Sequence, residues 1–534
     1  MTKSPQNIVI IVALLLIITG GVFITSGLFK EIENAPKEYF IVISITLLLF
    51  FCFASHNGNG LYKLLKSLQS DLLLHGIVVV CMLTSVHGFL QYFGLISSNH
   101  SAFPITGTFE NPAGFAAVQA ALFPFVFTKC FDKANGKYLH FFTIAVSLMC
   151  FVSVILSGSR TGFIALCSVI VVVLAFTEAI TSFFKTHRWL WAPIILLTAS
   201  AFITLYHIKP DSADGRLFIW SRCFEMIKQH PLLGYGASGF HRCYMSAQAD
   251  YFRVHQDSPF IMLADNVTHP FNEYIKLTIQ FGLVGFFAAI VLLIWIIWIL
   301  FKSEKKTKVL GLSFVTSLFI MCQFSYPFRY AVVWLMCFIA ITPAVVKSEK
   351  QTFEVPSYIR IVTSSLLILF LATTLRRMYY DMKWAEISKR ALIGQVDRML
   401  KYYEGMPSDI KHNPLFLYNY AAELNYSKLH EKSIALTLKC AEDWNDYDVQ
   451  ILFASNYAYL HDAENAIRSF DLAYDMIPCR FEPLYGKMLV YLQSNDTVNA
   501  LRMANEINEK PVKIQSNRVS FIIGCAQQLL MDLE

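Results

Sequence analysis

The sequence is poor in charged residues, which make up only 15% of its 534 residues. Soluble domains usually carry about 25% charged residues, so an ordinary soluble enzyme is excluded. Hydrophobic residues make up 55% of the chain, and the mean hydropathy is +0.48. Disorder is excluded too, because 45 Phe and 25 Tyr side chains would not stay solvated. An integral membrane protein with additional mass outside the membrane remains.

The sequence also lacks a strong net charge and any cysteine pattern typical of a metal site. The formal charge of +6 does not suggest nucleic acid, and positive loops of a membrane protein explain it. The twelve cysteines include no CxxC pair and no Cys/His cluster with zinc spacing. Cys223 and Cys243 share one long loop, where an extracytoplasmic location would permit a disulfide, although no geometric argument favours it.

Long apolar runs dominate the first two thirds of the chain. A membrane-spanning helix needs about 20 apolar residues. Eleven segments meet this requirement: 8–29, 39–54, 72–96, 113–128, 139–156, 162–180, 189–206, 272–301, 309–325, 330–346 and 359–376. The predicted fold class is therefore all-α, a polytopic helical membrane protein.

Lysine and arginine residues are distributed unevenly between alternate loops. With the N-terminus in the cytoplasm, the six cytoplasmic segments hold 15 of them, and the short loops on the opposite side hold four. Basic residues favour the cytoplasmic side of a membrane. This asymmetry predicts that the loop 207–271 and the chain after Arg377 lie outside the cytoplasm.

The composition changes after Arg377, because residues 378–534 are polar and contain no long apolar run. Small residues recur 33 and 34 positions apart at Ser433, Ala466 and Ala500. This period is typical of tetratricopeptide repeats, in which helix hairpins bury their apolar faces by stacking on one another. A generic helical bundle is the alternative.

These features predict two domains. Residues 1–377 form a membrane domain with the long loop 207–271, and residues 378–534 form a soluble, α-helical, tetratricopeptide-like domain. The second domain is predicted to bind a partner or acceptor and to perform no chemistry.

Four polar segments at the predicted outer membrane surface are candidate functional sites, since polar groups at membrane depth are costly. They are residues 106–112, 158–162, 216–236 and 265–274. Each has a structural alternative. The first is compatible with a simple turn, the second with an arginine that snorkels to the interface, and the third with cations that attract lipid headgroups.

The fourth segment has two interpretations. Asp265, His269 and Glu273 are four residues apart, so a helix would place them on one face as a metal or acid/base cluster. Pro270, however, is predicted to start the following helix, which makes His269 a loop residue. We therefore predict no metal site.

Arginines and a histidine at an outer membrane surface suit a lipid-linked diphosphate. Guanidinium groups bind phosphate oxygens in a bidentate way and stabilise a leaving diphosphate as its charge builds. A histidine with a pKa near neutrality can accept the proton of an attacking hydroxyl.

Together these segments resemble the signature of the O-antigen ligase superfamily over roughly residues 75–346. That superfamily includes O-antigen ligases, protein O-oligosaccharyltransferases and O-antigen polymerases, and twelve membrane helices are usual, which makes about 11–12 the expectation here. The matching elements are Gly107 to Pro112, Ser159 to Gly162, Arg216-x3-Trp220, His230 to Gly236, and His269 to Tyr274.

The resemblance implies transfer of a glycan from undecaprenyl diphosphate to an acceptor hydroxyl at the periplasmic face of a bacterial inner membrane. The reaction would invert configuration without a metal or other cofactor, and the acceptor would be a glycolipid or a protein. Arg160 and Arg216 would bind the diphosphate, and His269 would activate the acceptor.

Further residues are predicted to belong to the site because they lie near Arg160, Arg216 or His269 or in the matching motifs. Arg222 lies on the same stretch as Arg216, and Thr108 and Asn111 belong to the supporting loop. In the family, His, Asn and Glu are commonly consecutive, whereas here two residues separate His269 from Asn272. Whether Asn272 or Glu273 orients His269 therefore stays open.

Two other functions compete with this interpretation. A polymerase would use another lipid-linked glycan as acceptor, and the motifs do not separate it from a ligase because the donor half of the reaction is shared. A transporter or flippase with a docking domain is the alternative that is not an enzyme. Secondary transporters show paired interrupted helices, and the sequence predicts no such pair.

Overall fold

The computed structural model of the protein describes residues 5–54, 59–132, 135–177, 186–187, 210–346 and 355–533. Within these ranges the regular elements are helices, and none is a strand. The all-α prediction is confirmed.

The helices of the first two thirds of the chain are defined first. They are α1 Pro5–Phe23, α2 Ala35–Ala54, α3 Gly60–Ser67, α4 Asp71–Tyr92, α5 Pro112–Lys129, α6 Lys137–Leu156, α7 Arg160–Ala175, α8 Pro210–Gln229, α9 Gly239–Val254, α10 Glu273–Lys302, α11 Lys305–Phe324 and α12 Ala331–Val345.

The helices of the last third follow. They are α13 Ser357–Arg390, α14 Val396–Glu404, α15 Pro414–Tyr426, α16 His430–Ala441, α17 Tyr447–Tyr459, α18 Ala463–Met476, α19 Glu482–Gln493, α20 Thr497–Glu509 and α21 Asn517–Leu533. Short helical turns lie at Ile261–Leu263, Pro327–Arg329, Ala391–Gln395 and Ser408–Lys411.

Seven of the described helices are long and apolar enough to cross a membrane, namely α1, α2, α4, α6, α10, α11 and the stretch that begins at Ser357, and α7 and α12 are shorter apolar helices. Ten of the eleven predicted spans coincide with described helices, and the eleventh, 189–206, lies outside the described residues. Four predicted ends were wrong: α1 ends at Phe23, α4 at Tyr92 and α7 at Ala175, whereas α13 continues to Arg390.

The chain divides into two compact units, and the first comprises residues 1–205, 271–273 and 289–382. Its centre is α5, whose small residues Gly114, Ala116, Ala117 and Ala120 are all buried. Small residues let neighbouring helix backbones approach closely, which is how helices pack in membranes.

The second unit comprises residues 206–270, 274–288 and 383–534. In it, α15 and α16, α17 and α18, and α19 and α20 form three helix hairpins. Ser433, Ala466 and Ala500 are fully buried at equivalent places in their second helices. The hairpin turns contain non-glycine residues with positive φ at Lys428, His461 and Asn495. The period in the sequence is thus the spacing of three equivalent hairpins, which we call the hairpin array.

Candidate functional site

Arg160 is the first residue of α7 and is half-buried. The side chain of Ser159 caps this helix by accepting a hydrogen bond from the Gly162 N–H, 3.2 Å away. A Cβ atom on Gly162 would lie 2.7 Å from the Cβ of Ala116, so α7 packs tightly against α5. A helix N-terminus and a guanidinium both attract anions, and they coincide here.

The loop 106–111 is held by hydrogen bonds within the first unit. The Gln91 side-chain oxygen accepts from the N–H groups of Thr106 and Gly107, at 3.1 and 2.8 Å. The Lys37 ammonium donates to the Thr108 carbonyl at 2.7 Å, and the Thr108 hydroxyl donates to the Val22 carbonyl. These bonds hold the loop in place, and Thr108 takes part in two of them.

Asn111 connects this loop to two helical segments. Its side-chain oxygen caps α5 by accepting from the Ala113 N–H at 2.8 Å, and its amide donates to the Tyr326 hydroxyl at 2.9 Å. Half-buried Asn111 and the buried Pro112 therefore fix where α5 begins.

A charged cluster that was not predicted from the sequence lies beside this loop. Glu110 accepts hydrogen bonds from Asn34 at 2.9 Å and from the Tyr330 hydroxyl at 3.0 Å. Its carboxylate also pairs with the Arg329 guanidinium at 3.4 Å. Glu110 belongs to the segment 106–112, and Arg329 is one of the four basic residues in the short loops predicted to lie outside the cytoplasm, but nothing in the sequence indicated that the two residues pair.

In the second unit, α8 is an amphipathic helix. Its buried residues are Phe218, Ile219, Cys223 and Met226. The spacing of Arg216, Trp220, Phe224 and Ile227 is that of one face of a helix at a membrane surface, and these four residues are exposed or half-buried. That face remains accessible to a ligand or a lipid headgroup.

A hydrogen bond ties α8 to the segment that contains His269. The Trp220 indole N–H donates to the carbonyl of Pro270 at 2.8 Å. Arg216 lies one turn before Trp220 and therefore on the same face of α8. Arg222, the third predicted phosphate-binding residue, has its guanidinium 4.4 Å from the centre of the Tyr251 ring in a cation–π contact.

The motif from His230 to Gly236 fills an interruption in α10, where the sequence predicted an unbroken span over 272–301. At Gly282 the backbone leaves helical geometry, with φ 63° and ψ −165°. The motif supplies hydrogen-bond partners for the backbone groups that this interruption leaves without helical partners. The Tyr235 N–H donates to the Ile279 carbonyl at 2.8 Å, and the Gly236 N–H donates to the Gln280 carbonyl at 2.9 Å. The Pro231 carbonyl accepts from the Leu283 N–H at 2.8 Å. Backbone groups at membrane depth need such partners.

The segment from Asp265 to Asn272 is not helical, and α10 begins at Glu273. The prediction that Pro270 starts the helix was wrong, and the spacing of Asp265, His269 and Glu273 does not define a helix face. Asp265 pairs with Arg480 at 3.2 Å instead. Among the described residues, no group of three or more His, Cys, Asp or Glu side chains is placed to hold a metal ion.

The residues after His269 adopt an unusual backbone. Phe271 has φ 53°, a left-handed conformation that non-glycine residues seldom adopt and that clusters at functional sites. Asn272 is buried, and its amide donates to the backbone and side-chain oxygens of Gln323 at 3.1 and 3.3 Å. Glu273 is half-buried in the first turn of α10, where a negative charge is favoured.

Cys223 and Cys243 are free thiols, so the disulfide considered from the sequence does not form. Cys223 is fully buried on α8, and this burial raises the pKa of its thiol well above the ordinary range. The thiol contributes to packing as a small apolar group.

A groove of about 590 Å³ lies on the second hairpin of the array, with Arg253 of α9 at its edge. Tyr457, Arg468, Asp471 and Asp475 are among its lining residues. An aromatic ring next to both hydrogen-bond donors and acceptors suits a polar ligand.

The apolar helices and the polar segments between them define a multi-pass helical membrane protein. Residues 145–290 match the family described as O-antigen ligase, which confirms the resemblance over that part of the chain. The family comprises membrane glycosyltransferases of the ligase and polymerase type, which act on glycan-linked lipids. The matched segment contains Arg160, Arg216, Arg222, His269 and Glu273. No curated protein matches the chain.

Proposed function

We propose that the protein transfers a glycan from undecaprenyl diphosphate to an acceptor hydroxyl at the periplasmic face of the membrane, as an O-antigen ligase or protein O-oligosaccharyltransferase does. The match of residues 145–290 to the O-antigen ligase family supports the glycosyltransferase class. The contact that carries the proposal is the Trp220–Pro270 hydrogen bond, because it joins the helix of Arg216 to the residue that follows His269.

In the proposed reaction, the acceptor oxygen attacks the anomeric carbon of the glycan. The bond from that carbon to the diphosphate oxygen breaks, and the leaving undecaprenyl diphosphate keeps the electron pair. The configuration inverts because the acceptor attacks the face opposite to the diphosphate. His269 takes the hydroxyl proton, and Glu273 supports the resulting imidazolium. Arg160 and Arg216, aided by Arg222, bind the diphosphate and stabilise its growing charge, without a metal.

Arg216→Lys tests the donor half of this reaction. Lysine keeps the positive charge but loses the planar fork that binds two phosphate oxygens. A hydrogen bond to a charged group is worth about 1.5–3 kcal/mol, so we expect the KM for the donor to rise about tenfold or more. The measurement is transfer by purified protein in lipid nanodiscs, with undecaprenyl-diphosphate glycan as donor.

Arg398→Lys is the matched control, because Arg398 is an exposed arginine on α14. This variant should behave like the wild type. A donor KM that is unchanged in Arg216→Lys would contradict the role of Arg216.

We also propose that the hairpin array docks the acceptor in the groove on its second hairpin. Arg468→Ala should then raise the KM for the acceptor several-fold and leave kcat unchanged, because it removes a binding contact far from the bond that breaks. Arg502→Ala, an exposed arginine on α20 that does not line the groove, is the control. Equal acceptor KM values for the two variants would exclude the groove.

The proposed location is a bacterial inner membrane, with the N-terminus in the cytoplasm and residues 378–534 in the periplasm. The unequal distribution of lysine and arginine supports this orientation. Alkaline phosphatase fused after Glu534 should be active, and the same enzyme fused after Lys306, in a predicted cytoplasmic loop, should be inactive. The opposite result would invert the topology and remove the proposed site from the periplasmic face.

A further inference from the structure

The segment that leads to His269 has little regular structure of its own. Between Val254, where α9 ends, and Glu273, where α10 begins, the described backbone forms one short helical turn, Ile261–Leu263. A general base must be held in place to act. The contacts that hold this segment are therefore of functional interest.

Three consecutive residues of this segment are held by residues from the loops that follow the first, second and third hairpins of the array. Asp446 precedes α17, Arg480 precedes α19 and Lys513 precedes α21, so these residues repeat 34 and 33 positions apart. The bonds run from Lys513 Nζ to the Ala264 carbonyl at 3.0 Å, from Arg480 to the Asp265 carboxylate at 3.2 Å, and from the Asn266 amide to the Asp446 carboxylate at 2.9 Å.

A second set of contacts reaches His269 through its neighbour His241. The His241 ring stacks on the Trp444 indole, with centroids 4.4 Å apart and planes within 8°. The Asn445 N–H donates to the His241 carbonyl at 3.1 Å. The ring of His241 lies in turn edge-on to that of His269, with centroids 6.1 Å apart. Trp444 therefore supports the surface against which His269 lies.

Asp446 connects the two sets of contacts. One of its carboxylate oxygens caps α17 by accepting from the Val449 N–H at 3.1 Å. The other accepts from both the Trp444 indole, at 2.8 Å, and the Asn266 amide, at 2.9 Å. Asp446 is only 7% exposed, so these bonds are shielded from water.

We propose that the hairpin array is a positioning element for catalysis, which holds the His269 loop through Trp444, Asp446 and Asn266. These are positioning residues, since they act on His269 through other groups. The inference rests on the proposed function, because it takes His269 to be the base. It goes beyond acceptor docking, because the array then controls kcat as well as acceptor affinity.

Trp444→Ala is the principal test. It removes the stack on His241 and the bond to Asp446, so kcat should fall about 10- to 100-fold, as misplacement of a catalytic group by about 1 Å can cause. The KM values for donor and acceptor should stay close to wild type. Hydrogen–deuterium exchange should become faster in residues 261–272. Trp444→Phe, which keeps a ring to stack on His241, should recover most of kcat.

The matched control is Tyr459→Ala, which deletes a similar stack elsewhere in the array. The Tyr459 ring lies on His430 with centroids 4.8 Å apart and planes within 9°. This variant should leave both kcat and exchange in residues 261–272 unchanged. Asn266→Ala is the second test, because it alters the loop side and leaves the hairpins intact, and it should lower kcat in the same selective way.

Four outcomes separate the hypotheses. Unchanged exchange in residues 261–272 of both Trp444→Ala and Asn266→Ala would overturn the positioning role, and so would faster exchange with wild-type kcat. A rise in acceptor KM alone would also overturn it, because that result would mean docking. A wild-type protein that transfers no glycan would contradict the proposed function, and the exchange rates would still decide whether the array holds the loop.

Discussion

His269→Ala is expected to slow glycan transfer about a hundredfold or more, because loss of a general base typically costs that much. The donor should still bind nearly as in the wild type, since the residues proposed to bind the diphosphate are arginines. The effect should therefore fall on kcat and on kcat/KM alike. The measurement combines initial rates with a direct binding assay for undecaprenyl-diphosphate glycan.

His255→Ala is the matched control for this variant. His255 lies in the same loop between α9 and α10, and its side chain is exposed and stacked on Tyr251. It should keep wild-type turnover. Full activity of His269→Ala would remove the proposed base. Activity that EDTA abolishes and a divalent cation restores would contradict the metal-independent mechanism.

The membrane helices could be predicted from the sequence because each of them depends on consecutive residues. About 20 consecutive apolar residues are needed to cross a bilayer, and such runs are visible without knowledge of their neighbours. The hairpin array was readable for a related reason, since equivalent buried positions such as Ser433, Ala466 and Ala500 recur at a fixed spacing.

The interruption of α10 could not be predicted, because the residues that stabilise it are distant in the chain. Two glycines, Gly282 and Gly285, stand in the apolar run 272–301, and most such glycines are tolerated inside helices. The partners that satisfy the freed backbone groups belong to residues 231–236, more than 40 positions earlier. The motif from His230 to Gly236 stood out in the sequence, but nothing near it or near Gly282 indicated that the two meet.

In the candidate site, too, contacts between neighbouring residues could be predicted from the sequence, whereas contacts between residues far apart in the chain could not. The capping role of Asn111 was accessible, because Asn followed by Pro is a strong signal for a helix start. The bonds from Asp446, Arg480 and Lys513 to residues 264–266 join positions 180 or more residues apart. No periodicity within either segment indicates that pairing, so the repeat domain was predicted to bind partners only.

Gly282→Ala is expected to destabilise the second unit because both the backbone and the space at this position require glycine. The conformation at φ 63° and ψ −165° is essentially restricted to glycine, and such strain costs about 1–3 kcal/mol in other residues. A Cβ atom would also lie 2.1 Å from the Leu232 carbonyl oxygen and 2.5 Å from the Leu233 nitrogen. Because those atoms are backbone, residues 231–236 must move out of the interruption.

The expected result for Gly282→Ala is a lower Tm in detergent, faster hydrogen–deuterium exchange in residues 231–236 and a loss of transfer activity. Gly524→Ala on α21 is the control, because a Cβ atom there has no neighbour within 4 Å. It should keep activity and raise stability by up to about 1 kcal/mol, since alanine favours a helix over glycine. Equal Tm and exchange rates for Gly282→Ala and the wild type would mean that the motif from His230 to Gly236 does not depend on the interruption of α10.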